Sequence, residues 1–264
     1  GSSGGEAAII ASQGSMLGLG SDLGGSLRVP SHFCGIHTIK PTERRLPIHG
    51  CQGNLHGMES MLFQPGPMAR SVEDLAIALR VMNGNYDDAQ HVCDIPAPLG
   101  DPEEVAIENL NIVYFEDDGY FTPSPAIRRA TREAADQLAS AGATVKSVKP
   151  LTDMQNMVDL YYGVLAADGG KDLRRLLKGS EVDPAVKELL MLGHIPRWSR
   201  WLLKGLLSCL GQGHQASLMQ TAKPLSADEY WQISHRVNLM RAKWDKWMIK
   251  NQFDVILCPP FGVP

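Results

Sequence analysis

Apolar residues recur with helical spacing in three long stretches of the chain, and each stretch follows a serine that suits an N-cap. An acidic residue stands three positions after Ser71 and after Ser226, which completes a capping box in both places. Pro125 directly follows Ser124, where proline is favoured in the first helical turn. The pattern predicts helices over 72–83, 125–141 and 227–250, together with a short helix over 6–11.

Short segments outside these helices predict strands over 110–115 and 144–148, and the apolar run over 255–258 predicts a strand of the buried type. The first two strands flank the helix over 125–141, and a helical crossover of this kind joins parallel strands. Such connections are right-handed in nearly all proteins. The order of elements therefore predicts an α/β fold, and no internal repeat or low-complexity linker divides the 264 residues.

Composition and charge narrow the classes of function. A net charge of −4 gives no basic surface for nucleic acid. The five cysteines are scattered and form no Cys-x-x-Cys pair, which favours a reducing compartment over a disulfide framework or a zinc site. The eight histidines form no His-Glu-x-x-His pattern, so neither a metal nor another cofactor is expected.

Glycine is most concentrated around two separated serine loops. Gly1-Ser2-Ser3-Gly4-Gly5 opens the chain, and Gly20-Ser21-Asp22-Leu23-Gly24-Gly25-Ser26 forms the second loop. Glycine loses the most backbone entropy on folding, so this density indicates unusual dihedrals or close approach to a ligand. A serine among bare N–H groups suits acyl transfer, because one short loop then supplies both the attacking oxygen and the donors for the oxyanion.

Around these loops the sequence resembles the amidase signature family of serine hydrolases, most of all its fatty-acid amide hydrolases. The resemblance extends through Phe33-Cys34-Gly35, Lys40-Pro41-Thr42 and residues 66–75, and continues more weakly through 123–130 and 253–257. It implies an amidase signature fold in which helices cover a mixed central β-sheet. It also implies one domain over residues 1–264 that is truncated at both ends.

The resemblance implies a catalytic set of two serines and a lysine. Ser26 falls on the nucleophile and Ser2 on the bridging serine, which follows a cis Gly1–Ser2 bond in the family. The lysine would lie before Gly1, outside this chain. The residues expected to bind the oxyanion and substrate are Leu23, Gly24, Gly25, Ser26 and Ser2. Those expected to brace the loop are Ser3, Asp22 and Arg28.

Two other interpretations of these residues compete with that assignment. The first loop also fits the Gly-x-Ser-x-Gly elbow, in which Ser3 would be the nucleophile, but the chain offers no convincing ordered set of acid and histidine partners. Lys40 is a lysine within the chain, yet it lies in a segment that the family uses structurally. Asp22 and Arg28 form either a loop brace or a solvated ion pair of little energetic value, and both remain open.

A second indication of function is the amphipathic stretch from Ile195 to Leu210. Basic amphipathic helices with tryptophan suit a membrane interface, and fatty-acid amide hydrolases carry a membrane-facing hydrophobic cap at this point. The alternative is a surface helix packed on the core or on another subunit. The apolar arc comprises Ile195, Trp198, Leu202, Leu206, Cys209 and Leu210. The polar arc comprises Arg197, Arg200, Lys204 and Ser208.

The expected activity is hydrolysis of a carboxylic amide through an acyl-enzyme on Ser26. A fatty-acid amide is the expected substrate, with Leu165 and Leu189 lining an acyl channel. Small, aryl or glutaminyl amides are the alternatives within the family, and a catalytically silent relative that only binds is the alternative outside enzymes. An intracellular location, association with a membrane surface and a homodimer are further expectations.

Overall fold

A computed structural model describes residues 2–48, 51, 60–83, 98–182 and 197–264, together with 184, 186, 187 and 195. The chain divides into two compact units, one drawn from 1–54, 61–149 and 252–264 and the other from 55–60 and 150–251. Compact units of this size also occur within single domains, so the single domain over 1–264 stays a prediction.

An antiparallel sheet supports the glycine-rich part of the first unit. Its strands are β1 (Leu17–Asp22), β2 (His37–Thr38) and β3 (Gln64–Ala69), in the order β1-β3-β2. Leu17 pairs with Ala69 and Asp22 with Gln64, which fixes the register of β1 on β3. The helices of this part are α1 (Gly4–Ala11), α2 (Arg28–Cys34) and α3 (Val72–Met82). A buried core of Ala7, Ile10, Leu27, Ile36 and Met68 joins α1 and the start of α2 to the sheet.

A parallel sheet forms the rest of the first unit. Its strands are β4 (Asn111–Tyr114), β5 (Thr144–Ser147) and β6 (Val255–Leu257), in the order β5-β4-β6, and both pairings are parallel. Helix α4 (Pro125–Ser140) connects β4 to β5. Two short 3₁₀ helices, Pro102–Glu104 and Ile107–Asn109, precede β4. The predicted α/β fold and the parallel crossover are therefore confirmed.

The second unit is helical in the part of the chain that the structure describes. Its helices are α5 (Met154–Leu165), α6 (Lys171–Leu176), α7 (Arg197–Cys209), α8 (Gly213–Thr221) and α9 (Ala227–Asn251). Leu160, Val164, Ala216 and Val237 bury their side chains among these helices. No helix among the described residues combines the length and apolarity needed to cross a membrane.

The predicted caps explain where the long helices begin. The Glu229 amide donates to Ser226 Oγ at 3.2 Å while the Ser226 amide donates to Glu229 Oε2 at 2.8 Å, a reciprocal capping box. Ser71 Oγ accepts from the Asp74 amide at 3.1 Å and Ser124 Oγ from the Ile127 amide at 3.4 Å. These side chains satisfy amides that the first turn leaves unpaired, so the three predicted starts are confirmed.

Candidate active site

The two serine loops lie side by side in the first unit. Ser2 and Ser3 precede α1, and Ser26 lies in the turn that joins β1 to α2. The Ser3 amide donates to the Ser26 carbonyl oxygen at 3.2 Å. This backbone bond fixes the first loop against the second, although they are more than twenty residues apart in sequence. The pairing of two serine loops at one place is what the sequence motifs predict.

Glycines on β1 let the first loop and α1 lie directly on the strand. A Cβ atom at Gly20 would overlap Ser3 Oγ, and one at Gly18 would overlap the side chain of Glu6. Side chains alternate faces along a strand, so Gly18 and Gly20 clear the same face. Neither Gly18 nor Gly20 belongs to the predicted catalytic or supporting residues. Their two-residue spacing is the signal that indicates a close-packed strand face.

Arg70 holds the other end of α1. Its Nη1 atom donates to the carbonyl oxygens of Ile10 at 2.9 Å and Ser15 at 2.6 Å. A cation at a helix C-terminus satisfies carbonyls that lack helical partners and complements the helix dipole. No sequence motif predicts this role for Arg70, because the carbonyls that it binds lie 55 or more positions away in sequence.

A buried carboxylate organises the turn that contains Ser26. Asp22 has no exposed surface, and its Oδ1 accepts from the Gly25 amide at 2.7 Å. Its Oδ2 accepts from the amides of Leu27 at 3.1 Å and Arg28 at 3.3 Å. The Arg28 guanidinium completes the set, with Nε 3.0 Å from Oδ2 and Nη2 2.9 Å from Oδ1. The buried carboxylate thus engages the backbone on both sides of Ser26, and its role as a brace of the turn stays a prediction.

The surroundings of Asp22 keep its carboxylate ionised. Burial alone would raise the pKa, but the Arg28 hydrogen bond and charge and the Gly25 and Leu27 amides outweigh it and lower the pKa to about 2. Asp22 is therefore an acceptor throughout the neutral range. A proton acceptor with so low a pKa is a poor general base at neutral pH, so its contribution is to hold the turn.

The turn itself contains backbone amides without acceptors in the described part of the chain. Gly25 has a φ of +111°, and a Cβ there would lie 2.9 Å from Val29 Cγ2, so glycine is required at this position. Its amide is engaged by Asp22, as described above. Among the described residues, the amides of Leu23, Gly24 and Ser26 have no hydrogen-bond acceptor. Three such donors in one turn could bind an anion, and their oxyanion role stays a prediction.

Other residues of the predicted set are not brought to this turn by a described contact. The Gly1–Ser2 bond and Leu189 lie outside the described residues. Leu165 is the last residue of α5 in the second unit, where it is half-buried. Lys40 Nζ lies 3.5 Å from the carbonyl oxygen of its neighbour Pro41. No group of three His, Cys, Asp or Glu side chains suited to a metal occurs within the described ranges.

The amphipathic stretch forms a helix, α7, but its polar face differs from the prediction. Arg200 is buried and does not face solvent. Its Nη1 donates to the carbonyl oxygens of Met219 at 2.6 Å and Ala222 at 2.8 Å, and its Nε to that of Ile195 at 2.9 Å. Arg200 therefore caps the end of α8, and its predicted membership of an exposed polar arc was wrong. A helical wheel cannot detect carbonyls supplied by the next helix.

The apolar side of α7 is exposed to solvent. Trp201, Leu202, Leu206 and Leu210 expose 71%, 56%, 58% and 64% of their surface. The side chains of Trp198 and Arg197 lie outside the described residues. Lys204 is exposed and donates to Gln220 Oε1 at 3.2 Å. The predicted apolar arc is therefore solvent-facing at Leu202, Leu206 and Leu210, while the exposed Trp201 lies about 100° away from Leu202 around the helix, beside the polar arc.

Comparison with known proteins agrees with this fold. A family model described as Amidase matches residues 1–264, and the chain belongs to that family. Fatty-acid amide hydrolase 1 of Sus scrofa is 37% identical over 261 residues, covering 98% of this chain and 45% of that protein. Fatty acid amide hydrolase 1 of Caenorhabditis elegans is 32% identical over 269 residues, covering 100% and 46%.

Solved structures show the same similarity. A structure of fatty acid amide hydrolase superposes with a TM-score of 0.81 at 26% identity, and it covers 100% of this chain and 42% of the other. The chain thus spans about half the length of the curated relatives it matches. The resemblance to the amidase signature family is confirmed.

Proposed function

We propose that this protein hydrolyses carboxylic amides, with Ser26 as the nucleophile. The observation that supports this most is the hydrogen bond from the Ser3 amide to the Ser26 carbonyl, since it places the two serine loops of the family motif together. Asp22 then fixes the turn on both sides of Ser26. Membership of the amidase family and the similarity to fatty-acid amide hydrolases supply the reaction class.

In the proposed first step, Ser26 Oγ forms a bond to the substrate carbonyl carbon, and the carbonyl oxygen becomes an oxyanion. The amides of Leu23, Gly24 and Ser26 donate to that oxyanion. Because these backbone donors are held by the turn, they need little reorganisation as the charge develops. Collapse of the intermediate breaks the carbon–nitrogen bond and leaves an acyl-enzyme on Ser26.

The proton follows a route through the second serine. A neutral lysine outside residues 1–264 accepts the proton of Ser2 while Ser2 accepts that of Ser26, and when Ser2 then protonates the departing amine the lysine returns its proton to Ser2. Water then attacks the acyl carbon, with the same proton transfers in the reverse direction, and a carboxylic acid is released. Asp22 and Arg28 take no proton in this scheme, because the low pKa of Asp22 keeps it ionised.

We assign a fatty-acid amide as the substrate class. Two relatives with that name align over nearly the whole chain, and α7 exposes an apolar face that suits a lipid surface. Leu165 and Leu189 are the proposed lining of an acyl channel. A small amide is the competing substrate, and the same site would serve it without any need for the apolar face of α7.

A fluorophosphonate probe tests the nucleophile. In the full-length protein the probe should label Ser26, because phosphonylation requires an activated serine beside oxyanion donors. Peptide mapping by mass spectrometry identifies the labelled residue. Labelling of Ser3 would replace this assignment with the nucleophile elbow, and a protein that reacts at neither serine would support a binding relative without activity.

The exposed apolar face of α7 is tested by replacing Leu202, Leu206 and Leu210 with serine in the full-length protein. Burial of these side chains in a membrane would contribute about 25 cal/mol per Å², so liposome binding should fall at least about tenfold. Turnover of long-chain amides should fall with it, whereas turnover of a short soluble amide should hardly change. Vesicle sedimentation and the two activity assays measure these effects.

A matched control removes exposed apolar side chains elsewhere. Ile77 and Val81 expose 60% and 76% of their surface on α3, and replacing both with serine should leave liposome binding unchanged. Equal loss with the control, or equal loss for long and short substrates, would refute the membrane role of α7.

A further inference from the structure

The segment that follows β6 lies against α2, the helix directly after Ser26. His32 Nε2 is 2.8 Å from the carbonyl oxygen of Val263. A carbonyl oxygen can only accept a hydrogen bond, so Nε2 must bear the proton and donate it. His32 and Val263 are 231 positions apart. The bond joins α2, in the part of the first unit with the antiparallel sheet, to the segment after β6, a strand of the parallel sheet.

Ring contacts reinforce the same junction. The Phe261 ring centroid lies 5.3 Å from that of Phe33 in an edge-to-face arrangement and 6.3 Å from the His32 ring. Such contacts contribute beyond the apolar area they bury. On its other side the segment is tied to α4, since the Ser124 amide donates to the Gly262 carbonyl at 2.8 Å. Residues 261–263 are thus held between α2 and the start of α4.

Helix α2 is short and is coupled directly to the nucleophile turn. His32 lies one helical turn after Arg28, so the two side chains occupy the same side of the helix. Arg28 binds Asp22 through its guanidinium and its amide, and the Val29 amide donates to the Gly25 carbonyl at 2.8 Å. A shift of α2 would therefore be transmitted to the backbone on both sides of Ser26.

We infer that His32 is a positioning residue for Ser26, which acts by docking residues 261–263 onto α2. The inference rests on the proposed function, since it assumes that Ser26 is the nucleophile. His32 does not contact the reacting atoms in this scheme. Its hydrogen bond to Val263 limits movement of α2, and that helix in turn sets the position of the Ser26 turn. A catalytic group displaced by about 1 Å can lose as much as 10²-fold in rate.

Three substitutions of His32 in the full-length protein separate the bond from the ring. His32→Ala removes both and should slow fluorophosphonate labelling of Ser26 and lower kcat about tenfold, with KM nearly unchanged. His32→Gln should restore most of the rate, because the side-chain amide can donate to the Val263 carbonyl. His32→Phe keeps a ring beside Phe261 but cannot donate, and it should remain as slow as alanine.

Thermal unfolding and a control histidine complete the experiment. His37→Ala removes an exposed ring on β2 in the same unit and should label at the wild-type rate. The inference fails if His32→Ala labels at the wild-type rate, if His32→Gln is as slow as His32→Ala, or if rate falls only in proportion to unfolding. A wild-type protein that labels at Ser26 keeps the proposed function in all those cases. Absence of wild-type labelling refutes the proposed function and this inference together.

Discussion

Replacing Ser26 with alanine is expected to lower kcat for amide hydrolysis at least about 10⁴-fold, while the unfolding temperature stays near that of the wild type. The loss is large because the substitution removes the atom that forms the acyl-enzyme, and the remaining amide donors cannot supply a nucleophile. The fold should persist because the described hydrogen bonds of Asp22 to the turn come from the Gly25, Leu27 and Arg28 amides, which the substitution leaves in place. Steady-state kinetics and thermal unfolding of the full-length protein measure both quantities.

Substitutions of Ser2 and Ser3 are compared with Ser26→Ala. Ser2→Ala should also cause a large loss, and the Ser2→Ala/Ser26→Ala double variant should be no slower than Ser26→Ala, because members of one catalytic set are not additive. Ser3→Ala keeps the amide that binds the Ser26 carbonyl, so its effect should be much smaller. A severe loss at Ser3 with activity retained at Ser26 would assign the nucleophile to the first loop.

Helices with side-chain caps could be predicted from sequence because their signals are local. Ser71, Ser124 and Ser226 each satisfy an amide three residues later, and the helices begin as expected at 72, 125 and 227. The strands of the parallel sheet were also predictable in position, but the buried type predicted for β6 was wrong, because Val255 is exposed and Ile256 and Leu257 are only partly buried. In both cases a few neighbouring residues determine the element.

The antiparallel sheet could not be predicted in this way. Strand β3 has the sequence Gln-Pro-Gly-Pro-Met-Ala, in which two prolines and a glycine argue against a strand. Its place depends on long-range packing, since a Cβ at Gly66 would overlap the Ile39 carbonyl and contact Leu27. That close approach is visible only when the segments are assembled, and it explains why glycine occupies this strand.

In the site, too, local sequence signals predict some features, whereas contacts between distant residues determine others. The serine loops could be located from their glycine content, and their roles were implied by the family resemblance. Sequence patterns left open whether Asp22 and Arg28 brace the turn or form a solvated pair. The fully enclosed Asp22 carboxylate favours the brace, the Arg28 side chain is about half exposed, at 53%, and the bracing role stays a prediction. Arg200 was predicted to lie on the polar arc of α7, but it is buried because it donates to carbonyl oxygens at the end of α8.

The second large effect is expected for Asp22→Asn. Asparagine offers one acceptor oxygen and one NH₂ group, whereas both Asp22 oxygens accept hydrogen bonds from N–H donors. The NH₂ group of the asparagine would therefore face N–H donors, and the Arg28 guanidinium would lose its counter-charge. Because Arg28 is about half exposed, loss of the counter-charge accounts for about 1–2 kcal/mol of unfolding free energy, and buried N–H donors left without an acceptor add about 1–3 kcal/mol. The turn would also loosen, so labelling of Ser26 should slow by about 10²-fold.

The pH dependence of stability identifies the charge as the cause. The folded-state pKa of Asp22 is lowered to about 2, below the unfolded value of about 3.9. Its ionised form therefore stabilises the fold above about pH 4, and this contribution is lost as the pH falls through about 2. Because Arg28 is half exposed, solvent screens the pair, and we expect the contribution to be about 1–2 kcal/mol.

Urea unfolding of the wild type and Asp22→Asn at pH 7, 4 and 2 tests this argument. The difference in unfolding free energy between the two proteins should be largest at pH 7 and should shrink at pH 2, where the wild-type carboxyl is about half protonated. Asp101→Asn serves as the matched control, because this exposed carboxylate lies 3.8 Å from Arg80 and should change stability by less than about 1 kcal/mol. A difference for Asp22→Asn that is independent of pH would show that shape and hydrogen bonding, and not the charge, hold the Ser26 turn.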